Sequence, residues 1–253
     1  MQAFLRARRL AAALCITGVA VLVSAFSASS ASAQSALPVD YDFGAGALVT
    51  FNAPMVPPPG SNNWSCKPTA AHPYPVVLVH GTLANMDDNW QAASPILANH
   101  GYCVFAFNYG GASSTGDFQG TGDIATSAGQ LAAFVNEVLA ATGASKVDIV
   151  GHSQGGMMPR YYINFLGGAS KVGKFVALAP SNYGTTLDGL TALGQTLGLL
   201  AGVNSVLSTT CEACVQQEVG SSLLNALDPA QPVTVPCLLV LPVTGPVGPV
   251  PSF

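Results

Sequence analysis

The stretch that most constrains this chain is Val147-Asp148-Ile149-Val150-Gly151-His152-Ser153-Gln154-Gly155-Gly156. A β-branched strand signal runs into Gly-x-Ser-x-Gly and on into a helical pattern with no linker between them. Turning from a buried strand into a helix over one residue forces that residue into a strained backbone conformation. The flanking positions must then lack side chains that would collide across the turn, which Gly151 and Gly155 provide. The helix that begins after Ser153 aims free N–H groups and the positive end of its dipole at whatever meets the serine hydroxyl. This context predicts Ser153 as a nucleophile, with the backbone N–H of Gln154 as one donor to a developing oxyanion.

The rest of the chain supplies a scaffold for such a turn. Residues 76–79 (Val-Val-Leu-Val) are a continuous aliphatic run, the mark of a strand buried on both faces. A helix is predicted over residues 89–99, a strand over 103–107, and a helix over 123–142 whose Leu131, Phe134, Val135, Val138 and Leu139 share one face. Further strands are predicted over 146–150, 175–179 and 235–240. A helix after Ser153 is expected to be perturbed in its early turns by Pro159. Strands alternating with helices predict an α/β fold with a mostly parallel sheet and helices on both faces. The segment 185–207 carries Leu190, Leu193, Leu197 and Leu200 at helical spacing, which suits either a packed core helix or an apolar lid.

A second oxyanion donor belongs in the loop after an earlier strand. His80-Gly81-Thr82 follows the first buried strand, and the backbone N–H of Thr82 is the residue chosen. His80 lies at a strand end, His152 points away from its neighbour Ser153, His100 ends a helix and His72 sits in a loop. None of the four is assigned as a base.

The N-terminus has the three parts of a secretory signal: Arg6, Arg8 and Arg9, an apolar run over 10–26, and Ala31-Ser32-Ala33 before Gln34. Residues 1–33 are therefore read as a cleaved signal peptide and the protein as secreted, with no integral membrane segment after cleavage. The remaining 220 residues carry five Lys and Arg against twelve Asp and Glu, a net charge of −7. A sparse acidic surface of this kind excludes a nucleic-acid partner, which needs clustered basic charge. Five cysteines remain after Cys15 leaves with the signal. Cys211 and Cys214 have no second pair or nearby histidine to complete a zinc site, so a local disulfide is expected and no metal. Cys66 with Cys103 is expected as a second bridge, although sequence alone leaves connectivity open, and Cys237 is left over.

Several separated blocks, in order, resemble the class 2 triacylglycerol lipases, secreted bacterial enzymes of the α/β-hydrolase superfamily. They are Pro75-Val76-Val77-Leu78-Val79-His80-Gly81-Thr82, Asn89-Trp90, Gly101-Tyr102-Cys103-Val104-Phe105, Asn108-Tyr109-Gly110, the run Gly151 to Tyr162, and Ala179-Pro180-Ser181-Asn182-Tyr183-Gly184-Thr185-Thr186. The resemblance implies an α/β-hydrolase fold, hydrolysis of triacylglycerols or other apolar acyl esters without a cofactor, and a lipid or ester substrate, if need be at a lipid–water interface. It also implies Ser153 as nucleophile and Thr82 and Gln154 as oxyanion donors. In that superfamily an acid and then a histidine follow the nucleophile. Here no histidine follows His152, and the only later carboxylates are Asp188, Glu212, Glu218 and Asp228. Residues 229–253 carry no charge and seven of the eighteen prolines. The expectation is a hydrolase domain over 34–228, incomplete at its C-terminal end, followed by an aberrant Pro/Val-rich tail over 229–253 from a truncated or frameshifted gene. The triad acid and base stay unassigned. Two functional expectations follow: a secreted lipase or carboxylic-ester hydrolase, or a catalytically impaired hydrolase fold that at most binds apolar ligands.

Overall fold

The computed structural model describes residues 35–42, 56–111, 117–185, 211–227 and 235–240. The expected signal peptide, most of the segment 185–207 and the end of the tail lie outside the described residues. Two compact units divide the chain, Met1–Ser35 and Ala36–Phe253, and of the first only Ser35 is described.

In the second unit the described elements run β1 (Val76–Val79), α1 (Ala93–Asn99), β2 (Val104–Ala106), α2 (Ile124–Thr142), β3 (Val147–His152), α3 (Met158–Phe165), β4 (Val172–Leu178), α4 (Glu212–Gln216), α5 (Ser222–Leu227) and β5 (Cys237–Val240). The strands form one sheet in the order β2-β1-β3-β4-β5, and every pair is parallel. The alternation of elements predicts such a parallel sheet, and the family resemblance implies the α/β-hydrolase fold that it fits.

Strand alternation sends side chains to two faces. Val77, Val79, Phe105, Ile149, Phe175 and Ala177 join one core with Ile124, Ala128, Leu131, Val135 and Val138 of α2. Val76, Leu78, Val104 and Ala106 form the other with Trp90 and, partly buried, Leu97 of α1. By length and composition α2 is apolar enough to cross a membrane, yet one of its faces is in the core. Asp123 caps α2 by accepting the Thr126 N–H at 2.6 Å, and Gly143 ends it at φ 76°.

Two sequence expectations need correction. The helix placed over 89–99 starts at Ala93, because the preceding residues are wound into turns around Asn85, whose Oδ1 accepts the Asp87 and Asp88 N–H groups. Pro159 does not disturb the helix after Ser153: residues Ser153–Gly156 form a 3-10 turn, and Pro159 sits in the first turn of α3, where its missing N–H costs nothing. The predicted α2 face holds: Leu131, Val135 and Val138 are buried in the core, and Phe134 and Leu139 pack against it partly buried. The strand expected over 235–240 is β5, which pairs Cys237 with Phe175 and Val240 with Leu178, within the segment read as a Pro/Val-rich tail.

Cys66 is bonded to Cys103 and Cys211 to Cys214. The first bridge spans 37 residues and ties the entry segment to the residue before β2. In the chain-entropy picture a loop of that length is worth about 4 kcal/mol.

Candidate active site

The strand order reverses direction between β1 and β3, since β2 lies outward of β1 on one side and β4 outward of β3 on the other. The carboxyl ends of the two strands flanking such a switch point open a crevice, the place where doubly wound sheets bind ligands. Ser153 follows β3 there, and Gly81 and Thr82 follow β1, with Val79 and Gly151 in register as the last pair. A Cβ built on Gly81 would stand 3.1 Å from the Ser153 Cβ, so the two loops are in close contact.

Ser153 has φ 54°, a left-handed conformation that a non-glycine residue holds at a cost of about 1–3 kcal/mol. Leu83 (φ 62°) and Ala179 (φ 43°) are strained in the same sense and lie just beyond β1 and β4. Backbone strain is thus gathered along the carboxyl edge around the serine. Gly151 and Gly155 make the turn possible: a Cβ at Gly151 would be 1.7 Å from the Gly155 oxygen, and one at Gly155 would be 2.1 Å from the Val79 oxygen.

Thr82 and Gln154, the two expected oxyanion donors, are brought together. The Thr82 hydroxyl donates to Gln154 Oε1 at 2.7 Å, and both residues are buried. Among the described residues the Thr82 backbone N–H donates no hydrogen bond, which leaves it available to a ligand. Asn89 holds the two loops together as well. Its Oδ1 accepts the Gly81 N–H at 2.9 Å and lies 3.1 Å from His152 Nδ1, which must carry the proton of that contact.

The histidines are committed elsewhere. His80 is fully buried, and its Nδ1 contacts the Gly81 oxygen at 2.8 Å while its Nε2 accepts the Tyr109 N–H at 3.4 Å. These partners fix one neutral tautomer, protonated on Nδ1. Tyr109 stacks on the ring at 4.2 Å and donates its hydroxyl to the His80 carbonyl. Burial pushes His80 down to about 4, and it also lowers His152. Because folded His80 binds its proton less tightly than the unfolded residue at 6.5, the fold loses stability as pH falls from 6.5 towards 4. Long-range nitrogen NMR at pH 6 should find His80 neutral with its proton on Nδ1. An imidazolium signal there would contradict the assignment. His100 Nδ1 contacts the Ile96 oxygen at 2.8 Å, and His72 stacks on Tyr102. No described residue hydrogen-bonds the Ser153 hydroxyl. Among the carboxylates, burial pushes Asp88, in the loop after β1, up to about 6.

Sequence reasoning missed Gln217 and quoted Ser181 only within a matching block, without a role. Gln217 is 1% exposed, and its Nε2 reaches Thr82 Oγ1 at 2.9 Å while its Oε1 accepts from Ser181 Oγ at 2.8 Å. Only the neighbouring Cys211–Cys214 pair marked that region in the sequence. Among the described residues no three His, Cys, Asp or Glu converge as a metal site would need.

Comparison with known proteins bears on family and fold. Triacylglycerol lipases of Pseudarthrobacter phenanthrenivorans and Burkholderia plantarii are each 44% identical over 97 residues, which is 36% of this chain and 28% and 25% of theirs. The chain thus spans about a quarter of the length of the curated relatives it matches. Aspergillus fumigatus lipase B shares the fold with a TM-score of 0.50 at 19% identity, covering 69% of this chain and 37% of that one. The sequence profile described as Lipase (class 2) matches residues 73–231, more than half of the chain, and so the chain belongs to the class 2 lipase family.

Proposed function

We propose that this site hydrolyses carboxylic esters of apolar acyl chains, triacylglycerols among them, with Ser153 as the attacking nucleophile. The observation that carries the reading is the strained Ser153 at the β3 turn, packed against the loop that bears the Thr82 N–H. Ser153 Oγ adds to the acyl carbon, and the backbone N–H groups of Thr82 and Gln154 hold the oxyanion. The serine proton passes to a solvent or buffer base and from solvent to the departing alkoxide, which leaves as the alcohol when the tetrahedral intermediate collapses to an acyl-serine; water then cleaves the acyl-serine and releases the acid. No cofactor enters this chemistry. The two disulfides and the signal-like N-terminus support a secreted protein meeting its apolar substrate outside the cell.

The proton acceptor is not among the four histidines in the arrangement described, which favours keeping a second reading beside the first: a hydrolase fold that binds apolar esters and turns them over slowly. Treatment with a p-nitrophenyl alkylphosphonate in imidazole buffer, followed by peptide mass mapping, tests the nucleophile. The phosphonyl group is expected on Ser153 and to be absent from the Ser153→Ala chain. Its attachment at another residue would overturn the assignment.

A further inference from the structure

We propose that Gln217 is a positioning residue that sets the oxyanion hole by fixing Thr82 against Gln154. The inference rests on the reading of those two residues given above. The carboxamide of Gln217 can adopt only one orientation. Its nitrogen lies 3.1 Å from the Ala213 carbonyl oxygen, which only accepts, and its oxygen receives the Ser181 hydroxyl at 2.8 Å. The nitrogen therefore donates to Thr82 Oγ1 at 2.9 Å and faces Gln154 Oε1 at 3.3 Å. With that lone pair occupied, the Thr82 proton is directed to Gln154 Oε1, 2.7 Å away. Three buried groups from distant segments thus close a triangle directly beside the catalytic turn.

Two consequences follow. The Thr82 hydroxyl is fully committed, so its donor to an oxyanion is the backbone N–H and not the side chain. Gln154 Nε2 is left buried without a partner, a cost the site carries to keep Oε1 turned towards Thr82 and Gln217.

Gln217 is itself held on a fastened platform. It ends α4, whose first turn is closed by the Cys211–Cys214 disulfide. The Ala213 N–H donates to the Thr121 carbonyl at 3.0 Å. Gln216 accepts the Ile124 N–H at 2.8 Å and donates to Asp123 at 2.7 Å, joining α4 to the start of α2. The Gln217 carbonyl accepts the Thr185 N–H at 2.8 Å.

The test uses the full chain with Gln217→Glu and Gln217→Met. A carboxylate at 217 cannot donate to Thr82 and repels Gln154 Oε1, whereas the protonated acid regains one donor. Relative to wild type at pH 8, Gln217→Glu should lower amide protection over residues 80–85 by about tenfold, the loss of one buried hydrogen bond. Protection over residues 128–139 should not change, and the deficit should shrink at pH 5. Gln217→Met should show the deficit at both pH values. In imidazole buffer the Ser153-dependent ester rate should follow the same pattern in kcat, with KM nearly constant. Unchanged protection over 80–85 in both variants would overturn the proposal, as would an equal loss across the whole domain. If Ser153→Ala leaves the ester rate in imidazole buffer unaltered, the hydrolase reading fails, and amide protection still decides the role of Gln217.

Discussion

Gly151→Ala and Gly155→Ala are each expected to prevent the chain from folding to its native sheet. At Gly155 a Cβ would meet the Val79 and His80 carbonyl oxygens at 2.1 and 2.4 Å; at Gly151 it would meet the Gly155 carbonyl group at 1.7 and 2.3 Å. All of these are backbone atoms, so no rotamer change can relieve the contact. At Gly155 the relief would have to come from separating the turn from the end of β1, and at Gly151 from opening the 151–155 turn itself, where β3 stands in register with β1. A rearrangement of that kind costs more than about 4 kcal/mol, a large part of the 5–15 kcal/mol that typically separates folded from unfolded chains. The matched control is Gly129→Ala on the outer side of α2, where the new methyl meets nothing within 4 Å. It should stabilise the protein by about 0.5–1 kcal/mol, through helix propensity. Urea unfolding and soluble yield check both. A native-like unfolding midpoint for Gly155→Ala would mean that the turn is looser than its geometry implies.

The sheet was legible in the sequence because its signals are local. The aliphatic run of Val76 to Val79 fixed a strand buried on both faces, and Leu131, Val135 and Val138 marked the buried side of α2. The turn at Ser153 was legible for the same reason, since its two glycines answer a steric demand that only backbone proximity creates. Features that depend on distant segments meeting were not legible. Gln217 lies 135 residues from Thr82, and no periodicity or spacing connects a glutamine after a short helix to a threonine after a strand. Asn89 was visible as a matching residue, but its bridging of Gly81 and His152 depends on how β1 and β3 pair. The strand after residue 235 was visible as a pattern despite the abrupt change in composition around it, and it pairs in parallel with β4. Composition reports how a segment was written; pairing depends on whether its backbone finds an edge.

We infer that Ser153 is the nucleophile of a site in which none of the four histidines hydrogen-bonds the serine hydroxyl. The direct measurement compares wild type with Ser153→Ala in hydrolysis of a medium-chain p-nitrophenyl ester as imidazole is raised. A positioned general base contributes about 10²–10⁴ in rate, and free imidazole recovers only part of that because it must be captured from solution. Without imidazole the two proteins should be nearly alike. With it, the wild-type rate should rise in proportion to the neutral imidazole present and exceed Ser153→Ala by about tenfold or more, the gain expected of a hydroxyl that faces the proposed Thr82 and Gln154 donors. Saturation with ester should persist in both, because binding does not need the hydroxyl. Superimposable rates for wild type and Ser153→Ala at every imidazole concentration would contradict the claim.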